Sequence, residues 1–251
     1  MTNPHLYILT GATRGMGLAM ARQLIQPGHA LLCIARKTSE PLAAQARETG
    51  CALEQWPLDL SHSCEAAAML RQWLGRPAGR YASATLINNA GMIPRIAPLS
   101  AIEPDELAQA LRVDLEAPML LSAAFLGATE SWAVPRRVLN ISSGLGRRPM
   151  ASQAAYCAAK AGMDHYTRCL ALEEARKPHG AKVCSLAPGV IDTDMQVQLR
   201  GADAAAFPDR ERFMQLKSSD QLTSPDEAAR SVLAYLARGD FGSEPVADVR
   251  S

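Results

Sequence analysis

Short apolar segments and amphipathic segments alternate along most of this chain. Apolar runs with β-branched or aromatic residues are typical of buried strands, whereas apolar residues three and four positions apart are typical of helices. Strands that alternate with helices form a parallel sheet covered on both faces. We therefore predict an α/β fold of the doubly wound Rossmann type, with strands at 6–9, 30–34, 53–58, 85–87, 137–141 and 182–186, a last strand ending near Asp248, and helices at 18–25, 39–49, 64–74, 104–126, 152–176 and 225–237. Residues 192–219 are less regular, and we expect helical pieces in a mobile loop there.

The composition indicates one domain over residues 1–251. The chain is 48% hydrophobic and 20% charged, which suffices for one sizeable core, and no compositional break divides it. Its net charge of +1 argues against nucleic acid or an acidic membrane as a partner. No signal segment or membrane-length apolar window is visible, so we expect a cytoplasmic protein without membrane contact.

The six cysteines do not form a metal-binding or disulfide pattern. They stand at 33, 51, 64, 157, 169 and 184 without a CxxC pair. Cys33 and Cys184 fall in predicted buried strands. We predict reduced core cysteines and no metal site.

A glycine-rich turn joins the first predicted strand to the first predicted helix. It spans residues 10–17 and contains Gly11, Gly15 and Gly17. Such a turn lets the backbone approach a pyrophosphate, whose charge is balanced by the N–H groups and positive dipole end of the helix. Glycines also serve close strand–helix packing without a ligand. The alternating pattern favours a nucleotide site, because parallel sheets bind ligands at the carboxyl ends of their strands.

A tyrosine and a lysine lie four positions apart in the predicted helix 152–176. Tyr156 and Lys160 therefore share one helix face. We expect the ammonium to lower the tyrosine pKa from about 10 toward working pH, so that Tyr156 protonates a carbonyl oxygen while hydride reaches the carbon. Ser143, thirteen residues before Tyr156 and just after a predicted strand, offers a hydroxyl for the same oxygen. The alternative is a packed tyrosine beside a solvated lysine.

Two cations follow the second predicted strand, where an NAD-binding protein carries an acidic residue for the ribose 2′-hydroxyl. These are Arg36 and Lys37, and Arg14 lies inside the glycine turn. A 2′-phosphate would find partners here. We therefore predict NADP(H) as cofactor and reduction as the direction of use; solvated surface cations are the alternative.

Taken together, the motifs resemble those of the short-chain dehydrogenase/reductase family over essentially the whole chain. Besides the glycine turn and the Ser143, Tyr156 and Lys160 set, the chain has Asn-Asn-Ala-Gly at 88–91 and Pro-Gly-x-x-x-Thr at 188–193. The resemblance implies an oxidoreductase acting on a small carbonyl substrate. It also implies a homodimer or homotetramer in which helices 104–126 and 152–176 pair.

The resemblance also implies roles for individual residues. The catalytic set would be Ser143, Tyr156 and Lys160, and the substrate would contact Ser143, Tyr156, Gly189 and Asp248. The cofactor would contact Gly11, Thr13, Arg14, Gly15, Met16, Gly17, Arg36, Lys37, Asp59, Leu60, Asn89, Ala90, Gly91, Tyr156, Lys160, Pro188, Gly189, Ile191 and Thr193. Within that set, Ile191 and Thr193 would hold the nicotinamide carboxamide, and Asp59 and Leu60 would lie near the adenine.

One position departs from the family pattern. The chain has Val113, Asp114 and Leu115 where the family usually carries a proton-relay asparagine between the two apolar residues. Either the Asp114 carboxylate holds a water of the relay or it only makes a helix contact.

Roughly the last hundred residues resemble a subgroup of the family, the sepiapterin reductases. The similarity lies in segments 156–161, 170–174, 187–196 and 241–248. In that subgroup a carboxylate at the position of Asp248 binds the pterin. Benzil-type diketone reductases share much of the pattern, so a general dicarbonyl reductase is the alternative. An alternative of another class is a non-catalytic NADP(H)-sensing protein, against which the retained Tyr156 and Lys160 argue.

Overall fold

A computed structural model describes residues 3–75 and 80–250. Within these ranges seven strands form one sheet, and every neighbouring pair is parallel. The strands are β1 (His5–Thr10), β2 (His29–Ala35), β3 (Ala52–Pro57), β4 (Ser83–Asn88), β5 (Arg136–Ile141), β6 (Lys182–Ala187) and β7 (Val246–Asp248). The helices are α1 (Gly15–Leu24), α2 (Glu40–Thr49), α3 (Ser63–Leu74), α4 (Pro104–Leu111), α5 (Ala117–Ala128), α6 (Ala154–Glu174), α7 (Asp194–Arg200), α8 (Arg210–Ser218) and α9 (Pro225–Ala237).

The strand order places a crevice in the middle of the sheet. The order is β3-β2-β1-β4-β5-β6-β7, so the direction of winding reverses between β1 and β4. Ligands of doubly wound sheets bind outside the carboxyl ends of the strands at such a reversal. The predicted α/β fold is confirmed, and the glycine turn follows β1 at this point.

Apolar side chains cover both faces of the sheet. Alternate residues of a strand point to opposite faces, and in β1 Leu9 joins one buried cluster while Leu6 and Ile8 join the other. Met20 of α1 packs in the first cluster and Phe125 of α5 in the second. Two buried faces explain why the strands read as continuous apolar runs.

The predicted long helix at 104–126 is interrupted by a π-helical turn, Arg112–Glu116, between α4 and α5. Pro118 explains the turn, because proline has no N–H to donate to the carbonyl four residues earlier and its ring crowds that carbonyl. The backbone N–H of Ala117 instead reaches the carbonyl of Arg112. The widened turn carries Asp114 into the protein interior, where its exposure is 0%.

Two further predictions can be compared with the structure. The irregular region 192–219 contains α7 and α8, as expected for helical pieces. All six cysteines lie in the described ranges and are free thiols, and Cys33 and Cys184 are buried in strands as predicted. The prediction of core cysteines is wrong for Cys64 and Cys169, which are exposed on helices. Among residues 3–75 and 80–250, no helix is both long and apolar enough to cross a membrane.

Candidate active site

The glycine turn after β1 is suited to hold an anion. Gly11 and Gly15 adopt φ values of +71° and +51°, and a Cβ at Gly17 would lie 2.1 Å from the Gly11 carbonyl oxygen. Side chains at these positions would strain or block the turn. Within the described chain, the first turn of α1 has no acidic residue, and Arg14 makes no side-chain capping bond to it. The N–H groups of α1 therefore fit the pyrophosphate of a nucleotide.

Hydrogen bonds to the segment that follows β4 support this turn. The Thr10 hydroxyl accepts hydrogen bonds from the backbone N–H groups of Asn89 and Ala90, both at 2.9 Å. The Asn89 amide donates to the carbonyls of Thr10 and Gly11 at 3.0 and 3.4 Å. The sequence predicted Asn89 and Ala90 as cofactor contacts but missed Thr10, which fixes the backbone of both.

The segment after β6 lies against the same turn. A Cβ at Gly15 would lie 3.4 Å from the Thr193 methyl group, so two predicted cofactor residues far apart in sequence are neighbours here. Ile191 forms an isolated parallel bridge with Thr223, which fixes the segment. Gly189 has a φ of +87°, a conformation that glycine adopts without strain.

The predicted phosphate-binding cations lie at the rim of the crevice. Arg36 and Lys37 are exposed just after β2. The pKa of Asp59 is lowered chiefly by a hydrogen bond from the Ser61 N–H, and the positive charge of Arg36 adds a smaller effect. Arg14 lies 3.4 Å from Asp194, and both side chains are largely exposed.

Two of the predicted cofactor residues contribute their side chains to the core instead. Met16 and Leu60 are buried in the clusters on opposite faces of the sheet. Contacts from these two positions to a nucleotide would therefore come from the main chain.

The three predicted catalytic side chains meet beyond the end of β5. Ser143 follows that strand, and its hydroxyl accepts a hydrogen bond from the Leu145 N–H at 3.2 Å while lying near the phenol of Tyr156 on α6. One turn further along α6, the Lys160 ammonium donates to the Ile141 carbonyl at 2.9 Å and lies 5.5 Å from the centre of the Tyr156 ring. The helical spacing of Tyr156 and Lys160 thus places both groups at the carboxyl edge of the sheet.

The expected lowering of the Tyr156 pKa by Lys160 is wrong. Burial raises the pKa of Tyr156, the negative charge of Asp114 raises it further, and the nearby Ser143 hydroxyl acts in the opposite direction. Tyr156 is 8% exposed, and the Lys160 ammonium is engaged by a backbone carbonyl instead of the phenol oxygen. Tyr156 is therefore a protonated phenol, the form that can donate a proton.

Asp114 enters the same site from the π-helical turn. One carboxylate oxygen accepts a hydrogen bond from the Met92 N–H at 2.8 Å. The other oxygen, Oδ2, has no hydrogen-bond partner among the described residues. Burial raises the pKa of Asp114 to about 6, although Lys160 and the Met92 N–H act in the opposite direction.

An apolar wall covers Tyr156. It consists of side chains that are buried with the tyrosine in one cluster. These are Ile93 and Ile96 after β4, Leu199 of α7, Phe207 before α8 and Phe213 in α8. The Gln198 amide ties α7 to this wall by donating to the carbonyls of Ile93 and Pro94, both at 3.2 Å.

Asp248 lies at the end of β7, paired in register with Ala187 just before the predicted Pro188–Gly189 contacts. Its two carboxylate oxygens each accept a hydrogen bond from the Arg250 guanidinium at 2.7 Å. This pairing lowers the pKa of Asp248. The side chain is 18% exposed, so the carboxylate is held at the edge of the site.

The sequence interpretation also missed Asp164 on α6. It follows Lys160 by four residues on the same helix face, and its carboxylate accepts a hydrogen bond from the hydroxyl of Ser142, next to Ser143. An acidic residue among the buried positions of a helix was the available signal.

Comparisons with known proteins agree with this geometry. A family model described as short chain dehydrogenase matches residues 5–204. Benzil reductase ((S)-benzoin forming) of Bacillus cereus is 33% identical over 93% of this chain and 94% of its own length. Sepiapterin reductase of Meriones unguiculatus is 33% identical over 94% of this chain and 92% of its own length. The structure of a metagenomic short-chain oxidoreductase in complex with NADP is 29% identical, has a TM-score of 0.70, and covers 97% of this chain and 94% of its own. Other structures of this fold contain NAD.

Proposed function

The chain belongs to the short-chain dehydrogenase family of oxidoreductases, and we propose that it is an NADPH-dependent carbonyl reductase acting on a ketone or vicinal dicarbonyl compound. The observation that carries this proposal is the buried phenol of Tyr156, which lies between the Ser143 hydroxyl and the Lys160 ammonium. A reduction needs a proton for the carbonyl oxygen, and these side chains provide a donor and two groups that can stabilise its conjugate base.

Cofactor binding is assigned to the crevice between β1 and β4. The N-terminus of α1 would receive the pyrophosphate, and Arg36, with Lys37 and Arg14, would bind the 2′-phosphate. The segment 188–193 and residues 89–91 would line the nicotinamide half. When bound, NADPH supplies the hydride that adds to the carbonyl carbon.

The protein's own groups handle the oxygen atom. The Ser143 hydroxyl orients the carbonyl oxygen, and Tyr156 donates its phenolic proton to that oxygen to give the alcohol. The Lys160 ammonium stabilises the phenolate that remains, and a proton from solvent restores the phenol. Because burial raises the Tyr156 pKa, the phenolate is a strong base and readily takes up this proton.

The apolar wall over Tyr156 favours a substrate with aromatic or aliphatic groups next to the reacting carbonyl. Phe207 and Phe213 stack with ring centres 5.6 Å apart and make this side of the site aromatic and apolar. Benzil, a vicinal diketone with two phenyl rings, has this chemistry. Reduction of such diketones is supported by the benzil reductase relatives.

Reduction of a pterin carrying a side-chain dicarbonyl is the second candidate. It is favoured by the position of Asp248 at the edge of the site and by the sepiapterin reductase relatives. A pterin amino group would have to share Asp248 with Arg250 or displace it, because both carboxylate oxygens accept bonds from that guanidinium.

A panel of carbonyl compounds tests the proposal. Purified protein is incubated with NADPH or NADH and with benzil, sepiapterin or a simple ketone, and consumption of the cofactor is followed by absorbance. We expect turnover with NADPH and at least one dicarbonyl. An NADP(H)-sensing protein would bind NADPH, visible by fluorescence, without consuming it. Light scattering on the same sample tests the homodimer or homotetramer.

A further inference from the structure

The buried carboxylate of Asp164 joins four elements behind the catalytic side chains. Asp164 lies on α6 with 2% exposure. Its Oδ1 atom accepts hydrogen bonds from the hydroxyls of Ser142, after β5, and Ser185, in β6, at 2.6 and 2.7 Å. Its Oδ2 atom lies 3.5 Å from Nε of Arg147, in the turn that follows Ser143.

The turn that carries Ser143 packs directly on this carboxylate. A Cβ at Gly146 would lie 2.9 Å from both Asp164 Oδ2 and the Lys160 carbonyl oxygen, so this contact requires glycine. At the other side of the turn, Arg147 donates from Nη2 to the Ala247 carbonyl of β7 at 3.2 Å. The turn is thus held between α6 and β7 by the two ends of one guanidinium.

We infer that Asp164 is a positioning residue for the proposed reduction: it fixes the turn that carries Ser143 and supplies the negative charge that keeps the buried Lys160 ammonium protonated. The inference rests on the proposed function, because it acts through Ser143 and Lys160. Asp164 itself does not touch the reacting atoms.

The charge argument follows from the burial of Lys160. An ammonium removed from water is stable only beside opposite charge. Burial lowers the pKa of Lys160, while the carboxylates of Asp114 and Asp164 raise it. Asp114 lies on the π-helical turn, and Asp164 lies one turn further along α6 than Lys160, so two buried carboxylates from different elements act on the lysine.

Other titratable groups around this cluster also affect the charge. Tyr156 lies on the same helix as Lys160, and Arg147 faces Asp164 from the turn. Cys184 is next to Ser185 in β6 and points to the other face of the sheet; burial raises the pKa of its thiol, Asp164 raises it further and Arg147 lowers it. Removing the charge of Asp164 and removing that of Arg147 should therefore move the Lys160 pKa in opposite directions.

The experiment measures kcat/KM for NADPH and benzil against pH in wild type, Asp164→Asn, Arg147→Gln and Ser185→Ala. We expect Asp164→Asn to move the alkaline limb of the profile about one pH unit lower, since loss of a nearby opposite charge shifts a pKa by about that much or more. Arg147→Gln should leave the limb in place or move it higher. Ser185→Ala removes a hydrogen bond without changing charge, and the limb should stay.

An alkaline limb that stays in place in Asp164→Asn, or moves lower in all three variants, would overturn the inference, because the effect would then be absent or due to loosened packing alone. If the wild-type protein reduces no carbonyl compound, the proposed function is contradicted instead. In that event the Lys160 pKa is measured by ¹⁵N NMR of its ammonium group. A lower pKa in Asp164→Asn than in wild type supports the charge role, and equal values overturn it.

Discussion

The Asp114 carboxylate and the Lys160 ammonium approach the same face of Gly91. A Cβ at residue 91 would lie 3.4 Å from Asp114 Oδ1 and 3.8 Å from Lys160 Nζ. Two buried side chains of opposite charge, from the π-helical turn and from α6, therefore meet at the 88–91 segment that follows β4.

Replacing Asp114 by Asn should stabilise the protein at alkaline pH. The pKa of Asp114 is raised from 3.8 to about 6, so the folded protein binds this proton more tightly than the unfolded chain. The group therefore favours folding below pH 4, and that stability is lost as the pH rises through about 6. We expect Asp114→Asn to unfold with a free energy on the order of 2 kcal/mol higher than wild type at pH 8, and with little difference near pH 4. Urea unfolding at both pH values measures this.

Asp105→Asn is the matched control, because Asp105 is exposed in the first turn of α4, a few residues before the π-helical turn. It should show no pH-dependent gain. Carbonyl reduction by Asp114→Asn at neutral pH should stay within a few-fold of wild type. The alkaline limb of its pH profile should move lower, because burial lowers the Lys160 pKa and Asp114 opposes that effect. A large gain in activity would mean that the natural aspartate impairs the enzyme and would weaken the assigned role.

Tyr156→Phe should lower kcat by at least 10²-fold, since the variant keeps the ring but loses the proton donor. The affinity for NADPH, measured by fluorescence quenching, should change little. Tyr166→Phe is the matched control, because Tyr166 lies on the same helix with its hydroxyl buried away from Ser143. If Tyr156→Phe keeps the wild-type kcat, Tyr156 is not the proton donor.

Sequence alone was sufficient for the features that depend on local spacing. The glycine turn, the alternating strands and helices and the shared face of Tyr156 and Lys160 are set by residues close together in the chain. The sign of the Tyr156 pKa shift was not predictable in this way, because the burial comes from residues distant in sequence, among them Leu199 of α7 and Phe213 of α8. Asp164 was missed for the same reason, since its partners come from three other elements.

The π-helical turn shows a signal that sequence analysis could have used. Pro118 stands inside the predicted helix 104–126, where an interior proline leaves a carbonyl without its N–H donor. The amphipathic pattern is continuous through this point and therefore gave a single helix. The widened turn nevertheless decides that Asp114 points into the site.

Arg36→Ala should raise KM for NADPH at least tenfold while KM for NADH barely changes. The variant loses charge-assisted hydrogen bonds to the 2′-phosphate, each worth about 1.5–3 kcal/mol, and NADH has no such phosphate. Initial rates at varied cofactor concentration measure the effect. Arg238→Ala is a suitable control, because Arg238 pairs with Asp240 after α9, at the amino end of the sheet. Equal losses with both cofactors would show that Arg36 does not select NADPH.

Asp248→Asn should separate the two candidate substrates. If the carboxylate binds the amino and ring N–H groups of a pterin, its loss should raise KM for sepiapterin tenfold or more and leave benzil almost unaffected, because benzil has no N–H donors. The measurement is KM for each substrate at saturating NADPH.

Arg250→Gln provides the complementary test, because it removes the guanidinium that holds both oxygens of Asp248. Where a pterin competes with Arg250 for the carboxylate, this variant should lower KM for sepiapterin, opposite in sign to Asp248→Asn. Where Arg250 instead holds the carboxylate in its binding position, KM for sepiapterin should rise in both variants. Unchanged KM values in both variants, or wild type that reduces benzil but not sepiapterin, would exclude Asp248 from substrate recognition. The apolar wall of Ile93, Phe207 and Phe213 would then be the main determinant of specificity, as expected for a general dicarbonyl reductase.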